Sequence, residues 1–306
     1  MTRYFAGVDG GGSYTRAVIL DAFGNDLGRA HGGPAVADAA RPDDAANSVM
    51  RVVRAAADRA GVRLPLTALV AGLSGAGREA ARSAVELELE LMGLAARTRV
   101  DTDVAVAFHD AFGDGPGVLL IAGTGSIAWG RNENGREGRV GGWGHHIGDE
   151  GSGYALGLDA LRRVAKHADG RAPETELLKA VLSHVGAEGL DGLVQWTSAA
   201  SKADIAGLAP VVAGAAAAGD VVAGEILAGA VDELEGHVLT ILTSLGPWRR
   251  PPEIVLAGGL LMPGRPLREP VEAALAKHQL EPQDRVLDGA LGAAHLAMAP
   301  STSKWA

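Results

Sequence analysis

The sequence contains no cysteine, no basic run and no long apolar run, and each absence excludes certain sites or partners. Without cysteine, disulfides, thiolate catalysis and thiolate-held zinc or iron–sulfur sites are excluded. The formal net charge is -9, and no Lys/Arg run exceeds a pair, so no basic footprint for nucleic acid or an anionic membrane is present. No apolar run reaches ~20 residues, and the first residues lack a signal-like pattern. We therefore expect a cytoplasmic protein with a small-molecule partner, and no nucleic acid or membrane partner.

The residues that are abundant predict two compact α/β domains. Hydrophobic residues make up 47% of the 306 residues, and many of the 44 glycines stand at the ends of apolar runs. Glycine at such positions permits a tight turn or a close approach of backbone to a ligand. The length exceeds what one ordinary core supports. Because residues 113–117 read as a linker, we predict one domain at 1–115 and another at 116–306.

Both predicted domains open with the same pattern of elements. An apolar strand at 4–8, and another at 118–122, runs into glycines and then returns as a hairpin. The similarity is weak by residue identity but consistent in pattern, which indicates an internal repeat. Further strands are predicted at 67–73, 98–100 and 253–256, and helices at 43–61, 78–92, 104–112, most of 153–245, and 288–299.

The first strand ends in Asp9 followed by three glycines. Successive glycines let backbone N–H groups converge on an anion, and nearby hydroxyls add donors, so the segment is a candidate phosphate site. Asp9 is placed to hold Mg²⁺ through water, because magnesium takes few direct carboxylates. An ordinary glycine turn is the alternative that this segment alone leaves open. The candidate phosphate ligands are Gly10, Gly11, Gly12, Ser13 and Thr15.

The second domain repeats this device at Gly123-Thr124-Gly125-Ser126. Neither segment matches a P-loop or a Gly-x-Gly-x-x-Gly turn that opens a helix. A later strand ends in Gly258 and Gly259, where an adenine ring could lie flat on the backbone. A plain strand–helix turn explains that last pair equally well.

Asp101-Thr102-Asp103 follows another predicted strand and supplies a candidate general base. Phosphoryl transfer to a hydroxyl needs a carboxylate that accepts the hydroxyl proton. We favour Asp103 because it is nearer the loop. The alternative is that both aspartates only cap the helix that begins near Val104.

Residues 141–153 are too rich in glycine, histidine and acid to bury much core, so they are predicted to form a binding loop. Adjacent histidines are not the helical i, i+4 pair of a metal site, which makes a metal at His145, His146, Asp149 and Glu150 the weaker interpretation. A sugar fits better, with Trp143 as an apolar face and Asp149 as an acceptor for hydroxyl protons.

Taken in order, these segments resemble the N-acetylglucosamine kinase and BadF/BadG/BcrA/BcrD ATPase family, within the sugar kinase/actin superfamily. The resemblance covers nearly the whole chain, and its most specific part is the glycine-rich loop. The matching segments are Val8–Ser13, Thr102–Asp103, Ile121–Ser126, Gly141–Ser152, Ser201–Gly207 and Ala257–Gly259.

The resemblance implies a fold and an activity. The fold is α/β, with two ribonuclease H-like (actin-like ATPase) lobes, a central interlobe cleft, and a last helix at about 288–299 able to pack back on the first lobe. The activity is transfer of the γ-phosphate of ATP, with Mg²⁺, to the 6-hydroxyl of N-acetylglucosamine or glucosamine, by a homodimer. The implied nucleotide ligands are Gly10, Gly11, Gly12, Ser13, Thr15, Gly123, Thr124, Gly125, Ala206, Gly258 and Gly259. The implied sugar ligands are Asp103, also the catalytic base, with Ser126, Gly142, Trp143, Gly144, His145 and Asp149.

One departure from the family pattern leaves alternatives open. Val36 stands where these kinases usually have a sugar-binding asparagine, and valine cannot supply those hydrogen bonds. A kinase of another hexose or N-acetylated sugar, a catalytically silent sugar or nucleotide sensor, and an actin-like filament protein are the alternatives. An activator of radical dehydratases would need cluster-binding cysteines, and a DNA-binding repressor is disfavoured by the acidic composition.

Overall fold

The computed structural model describes residues 2–299, so Met1 and the last part of the predicted second domain, residues 300–306, lie outside the described residues. The strands are β1 (Tyr4–Gly10), β2 (Thr15–Asp21), β3 (Asp26–Gly32), β4 (Ala68–Leu73), β5 (Thr98–Thr102), β6 (Gly117–Ala122), β7 (Ser126–Arg131), β8 (Glu137–Gly141), β9 (Ile254–Ala257) and β10 (Pro282–Gln283). The helices are α1 (Pro42–Ala60), α2 (Glu79–Leu91), α3 (Asp103–Phe112), α4 (Gly153–Ala168), α5 (Leu177–Val185), α6 (Gly189–Ala199), α7 (Lys202–Ala206), α8 (Ala209–Ala217), α9 (Val221–Leu245), α10 (Arg268–Ala276) and α11 (Gly289–Met298).

Two mixed five-stranded sheets organise two compact units. Among residues 2–299, unit 1 contains those up to Asp114 and those from Val286 to Ala299, and unit 2 spans Gly115–Arg285. The strand order is β3-β2-β1-β4-β5 in unit 1, and β8-β7-β6-β9-β10 in unit 2 when that sheet is read from its antiparallel edge. In both, an antiparallel meander is followed by parallel strands. The repeat predicted from the sequence is confirmed at the level of topology.

Strand β1 buries both of its faces, and its side chains alternate between them. Ala6 and Val8 pack in the cluster formed with α1 and α2, whereas Phe5 packs with residues of α11. Gly7 lies on the α11 face, where a Cβ atom would come within 2.1 Å of the Ala290 carbonyl oxygen. By the same period of two, Asp9 points toward the α11 face.

Unit 2 has its own core beneath the sheet. Helix α9 packs against β6, β7 and β8, and α4 packs against α7, α8 and α9. Val118, Leu120, Leu234 and Val238 are among the fully buried members of this core.

No single helix within residues 2–299 is long and apolar enough to cross a membrane. The helical segments 202–217 and 221–245 are long and apolar enough only when taken together, and the break between them bends by 120°.

Candidate active site

Three parallel strands of unit 1 end together and bring candidate residues to one edge of the sheet. In the strand register, Gly10 of β1 pairs with Leu73 of β4, and Leu73 pairs with Thr102 of β5. The residues that follow these ends are therefore neighbours, because parallel strands share their carboxyl edge. They are Gly11, Ser74 and Asp103.

Asp103 is held at this edge as a carboxylate that resists ionisation. Its side chain accepts a hydrogen bond from the Ser74 hydroxyl, and its Oδ1 accepts one from the Val104 amide at 3.0 Å. Burial raises the pKa of Asp103, the negative charge of Asp9 raises it further, and the Ser74 hydrogen bond opposes both effects. A carboxylate with a raised pKa is a better proton acceptor, as a general base requires.

The structure argues against the alternative that Asp103 only caps helix α3. The cap of α3 is Thr102, whose hydroxyl accepts from the Ala105 amide at 3.0 Å. Asp101 is held by an ion pair with Arg99 and accepts from the Thr102 amide at 2.8 Å. Because Thr102 already caps the helix, capping does not account for the Asp103 carboxylate.

Asp9 lies between the hairpin and the start of α11. It faces Arg16 across the antiparallel pair, and its Oδ2 accepts from Arg16 Nη2 at 2.9 Å. A Cβ atom on Gly289 would lie 2.9 Å from Asp9 Cγ, so glycine there makes room for the carboxylate. Burial raises the pKa of Asp9, Arg16 lowers it, Asp288 raises it, and the balance is a raised pKa.

The residues around Asp9 fit a hydrated magnesium ion. Asp9 and Asp103 are half-buried carboxylates, each with a raised pKa, and the charge of Asp9 contributes to the shift of the Asp103 pKa. A cation beside Asp9 would relieve this repulsion, and oxygen donors are those that magnesium prefers. Within residues 2–299 no three His, Asp or Glu side chains form a metal-binding group, so an all-protein cage is not the arrangement here.

The first glycine corner joins β1 to β2. A Cβ atom on Gly10 would approach Leu73 Cδ2 to 2.7 Å, so packing explains this glycine. By contrast, within the described chain nothing lies within 4 Å of a Cβ atom on Gly11 or Gly12, and neither has a positive φ. Neither packing nor backbone conformation requires those two glycines, and the space beside their backbone is open to a ligand. Ser13 is exposed beside them.

Thr15, a predicted phosphate ligand, has a partner within the chain, and its role at the phosphate stays a prediction. Its side chain is 0% exposed, and its hydroxyl donates to the Gly33 carbonyl at 2.7 Å. While that bond holds, the hydroxyl cannot donate to a phosphate. Thr15 instead ties the hairpin to the segment that precedes Val36.

Val36 lies close to the proposed base. It forms a parallel bridge with Ser74, and the Ala37 amide donates to the Ser74 carbonyl at 2.8 Å. The Ser74 side chain in turn contacts Asp103, so a single residue, Ser74, connects Val36 to Asp103. Val36 is 42% exposed and therefore offers an apolar surface there.

In unit 2 the second glycine corner meets the starts of two helices. The Gly153 amide at the start of α4 donates to the Gly123 carbonyl at 2.8 Å, and the Tyr154 amide donates to the Thr124 carbonyl at 3.3 Å. A Cβ atom on Gly153 would lie 3.1 Å from Gly123 O and 3.4 Å from the carbonyl oxygen of Ala206 in α7. The predicted nucleotide ligands of residues 123–125 and Ala206 are therefore neighbours.

Gly258 and Gly259 belong to the same neighbourhood. Gly258 has a φ of +93°, and a Cβ atom there would lie 2.3 Å from the Ala122 carbonyl oxygen. A Cβ atom on Gly123 would lie 3.7 Å from the Gly259 amide nitrogen. The structure brings together all the nucleotide ligands that were predicted in unit 2.

Asp149 lies behind the second corner. It is 4% exposed, has a positive φ of 62°, and accepts from Lys202 Nζ at 2.7 Å and from the Ser126 amide at 3.4 Å. A Cβ atom on Gly125 would lie 2.9 Å from Asp149 Oδ1. Both carboxylate oxygens thus already have partners, and the role of Asp149 as a sugar ligand stays a prediction.

Ser126 has a partner within the loop. It is buried, and its hydroxyl donates to the Glu150 carbonyl at 2.6 Å. This bond fastens the loop to β7 and leaves the hydroxyl oxygen able to accept from a sugar hydroxyl. The role of Ser126 as a sugar ligand stays a prediction.

Trp143 stands out from the loop and is 63% exposed. The guanidinium carbon of Arg139 lies 4.0 Å from its ring centroid, and Arg139 Nη1 donates to the Gly141 carbonyl at 2.8 Å. Gly142 and Gly144 flank the tryptophan with φ of +67° and +86°, a region that side chains other than glycine rarely adopt. The loop therefore presents an apolar ring of fixed orientation.

His145 follows Trp143 by two residues, and its imidazole contacts two other rings. Its imidazole lies 4.0 Å from that of His146 and 5.0 Å, edge on, from the Tyr154 ring. Burial lowers the pKa of His145, the charges of His146 and Lys202 lower it further, and Asp149 opposes them. A neutral imidazole suits hydrogen bonding to a sugar hydroxyl.

Sequence reasoning missed four side chains that position these groups. Arg16 could have been found, since it faces Asp9 in the predicted hairpin. Ser74 directly follows a predicted strand, and Arg139 lies four residues before Trp143, but neither bears a motif of its own. Lys202 is 53 positions from Asp149, and no local pattern connects the two.

A separate cavity lies in the connection between α5 and α6. It has a volume of about 620 Å³ and is lined by residues 185–188 together with Asp191, Gly192, Gln195 and Trp196. None of the predicted site residues lines it, so we do not assign it to the active site.

Comparison with known proteins decides the family. The model of the BadF/BadG/BcrA/BcrD ATPase family matches residues 6–297. The chain belongs to this family. The family resemblance predicted from the glycine corners and the loop is thereby confirmed.

Individual relatives match most of the length of this chain, and a solved structure has a similar fold. The chain is 31% identical to the N-acetylmuramic acid/N-acetylglucosamine kinase of Clostridium acetobutylicum over 85% of this chain and 86% of that protein. It is 30% identical to the glucosamine kinase of Vibrio cholerae over 71% of this chain and 73% of that protein. A crystal structure from Chromobacterium violaceum, provisionally named an N-acetylglucosamine kinase, has a TM-score of 0.79, 31% identity, and coverage of 97% and 99%. The predicted α/β class with two actin-like units is confirmed.

Proposed function

We propose that this protein is an ATP-dependent amino-sugar kinase, which transfers the γ-phosphate of ATP to the 6-hydroxyl of N-acetylglucosamine or glucosamine. The observation that carries the proposal is Asp103, a half-buried carboxylate of raised pKa that Ser74 fixes beside the β1 glycine corner. The names of the two kinases in C. acetobutylicum and V. cholerae support an amino sugar as acceptor.

The chemical step needs only one proton acceptor. The sugar oxygen attacks the γ-phosphorus, and its proton passes to the Asp103 carboxylate. The new O–P bond forms as the bond between the γ-phosphorus and the β–γ bridging oxygen breaks, and ADP leaves. Ser74 orients the carboxylate for this transfer.

Residues of both units are proposed to bind ATP. Gly11, Gly12 and Ser13 in unit 1 and residues 123–125 in unit 2 contact phosphate oxygens through backbone and hydroxyl donors. Ala206, Gly258 and Gly259 contact the adenosine. Asp9 holds Mg²⁺ through water, and the bound ion would neutralise charge on the β- and γ-phosphates.

The sugar is proposed to lie against Trp143, with Gly142, Gly144, His145 and Asp149 around its polar groups. An aromatic face together with a few polar groups is the usual composition of such a site. Val36 bears on which sugar is accepted, because its exposed apolar side chain offers no hydrogen bond near Asp103. A different hexose or N-acetylated sugar is therefore the second candidate acceptor.

A coupled ADP-release assay tests the activity and the substrate together. The acceptors are glucosamine, N-acetylglucosamine, N-acetylmannosamine, N-acetylmuramate and glucose, with a reaction lacking sugar as the blank. We expect ADP release that depends on an amino sugar. Binding of ATP and sugar without any turnover would instead indicate a sensor, and ATP-dependent sedimentation would indicate a filament protein.

The pH dependence follows from Asp103. Because its pKa is raised by burial and by Asp9, kcat/KM should fall as the pH drops through that raised value, where the protonated carboxyl no longer accepts a proton. The Ser74 hydrogen bond lowers this pKa, so Ser74→Ala should move the acidic limb to higher pH. Ser198→Ala, an exposed serine of α6, is the matched control. A pH–rate profile unmoved by Ser74→Ala would contradict the assignment.

The open glycines of the first corner give a further prediction. Gly12→Ala adds a methyl group where the chain leaves free space, so the thermal midpoint should stay at the native value. The same methyl would obstruct the phosphate, and ATP affinity measured by calorimetry should fall at least about tenfold, or about 1.4 kcal/mol. Gly214→Ala, equally open but in α8, should leave ATP affinity unchanged. Native ATP affinity in Gly12→Ala would remove this corner from the phosphate site.

The homodimer and the cytoplasmic location expected from the sequence stay predictions. Sedimentation velocity at several protein concentrations tests the first of them.

A further inference from the structure

Lys202 begins the short helix α7 and reaches back to the second glycine corner. Its Nζ lies 2.7 Å from Asp149 Oδ2, and the other oxygen of that carboxylate lies 3.4 Å from the Ser126 amide nitrogen. One carboxylate group therefore separates the ammonium from the corner.

A second set of contacts places α7 independently. The carbonyl oxygen of Ala206, at the end of this helix, would lie 3.4 Å from a Cβ atom on Gly153, and Gly153 itself donates to the Gly123 carbonyl. The Ala206 end of α7 thus lies beside the second glycine corner through backbone contacts that do not involve the Lys202 side chain.

The ammonium retains capacity for a ligand. It has three N–H donors, and among residues 2–299 Asp149 is its one hydrogen-bond acceptor. The Lys202 side chain is 34% exposed, whereas Asp149 is almost fully buried. Solvent or a ligand can therefore reach the Lys202–Asp149 pair only from the lysine side.

Burying one member of an ion pair has a cost that a purely structural role does not explain. Desolvation offsets much of the attraction in such pairs. A lysine held at a phosphate-binding corner serves as a point charge for phosphate oxygens. A polyphosphate carries more negative charge than one carboxylate, so it can attract the ammonium while Asp149 keeps the side chain in position.

We propose that Lys202 contacts the phosphate chain of the nucleotide, and that Asp149 holds its ammonium ready at the corner formed by residues 123–126. The inference rests on the proposed function, since it requires that this corner binds ATP. It adds a cation from unit 2 to a set of donors that otherwise consists of backbone amides and hydroxyls.

The test is calorimetry of ATP and AMP binding in the absence of sugar. Lys202→Met alone would leave Asp149 buried and unpaired, so the decisive comparison is Asp149→Asn against the double variant Asp149→Asn/Lys202→Met, in which no charge is left unpaired. We expect the double variant to bind ATP about 10-fold to 100-fold more weakly than Asp149→Asn, the scale of a charge-assisted hydrogen bond. AMP affinity should be equal in both variants.

Two controls complete the experiment. Lys166→Met removes an exposed lysine of α4 and should leave ATP affinity native. Lys202→Arg retains the charge and should stay within a few-fold of wild type. Equal ATP affinity in Asp149→Asn and the double variant would overturn the proposal, as would equal losses of ATP and AMP affinity. Failure of the wild-type protein to bind ATP would instead overturn the proposed function.

Discussion

Replacing Asp103 by asparagine should lower kcat by about 10²-fold to 10⁴-fold, the usual contribution of a positioned general base. Asparagine keeps the size of the side chain but cannot accept the hydroxyl proton. The affinities for sugar and ATP should stay close to native, since the proton moves only in the transition state. Steady-state kinetics with the preferred sugar, together with calorimetry of each ligand, measure both effects.

Asp101→Asn is the matched control for this substitution. Asp101 is two residues away on the same segment, but Arg99 and the Thr102 amide hold its carboxylate. We expect kcat within a few-fold of wild type for Asp101→Asn. Equal losses in the two variants, or unimpaired turnover in Asp103→Asn, would refute the role of Asp103.

Asp103→Asn should also be no less stable than wild type. A carboxyl group whose folded pKa is raised costs stability as the pH rises from the unfolded pKa through the folded one, and the full cost persists above it. At neutral pH asparagine removes that cost. Chemical denaturation at pH 7 therefore separates a loss of catalysis from a loss of fold.

Gly7→Ala should lower the free energy of unfolding by at least about 1–3 kcal/mol, the usual cost of overpacking a core. The added methyl would lie 2.1 Å from both the Ala290 carbonyl oxygen and the Ala294 amide nitrogen. These are backbone atoms of α11, so no side chain can rotate aside. Urea denaturation measures the change.

The control for Gly7→Ala is Gly229→Ala, on α9. Within the described chain nothing lies within 4 Å of its Cβ position, and alanine favours the helix, so stability should stay the same or rise. Native stability in Gly7→Ala would mean that α11 does not pack as closely on β1 as described.

The sequence allowed the elements and the edge of the candidate site to be predicted, because both depend on local pattern. Apolar runs that break at glycine located β1 and β6, and Asp103 was favoured over Asp101 from its position after a strand. Strand β10 was not predicted, since its two residues carry no periodicity.

The direction of individual hydroxyls could not be predicted. Ser13 and Thr15 are two residues apart in the same corner, yet Ser13 is exposed while Thr15 is buried and bonded to Gly33. Ser126 likewise turns to the Glu150 carbonyl. Residue type shows that a hydroxyl can donate, but only tertiary packing decides which acceptor it meets.

Contacts between residues that are far apart in the sequence could not be predicted either. Lys202 and Asp149 become partners because α7 folds back on the start of α4, and Ser74 meets Asp103 because β4 and β5 are adjacent in the sheet. Adjacency of strands could have been guessed from the repeat. The course of the helical segment between residues 153 and 245 could not.

Helix α11 also constrains the order in which the parts of the molecule can fold. Its residues pack on β1 and α3, although all of residues 115–285 separate them along the chain. A growing polypeptide will therefore carry β1 without its α11 contacts until synthesis has passed residue 298, and contacts between such distant segments form slowly. During that interval the apolar surface around Phe5 is accessible to chaperones. Asp9 then also lacks Gly289, which lies beside its carboxylate in the folded protein.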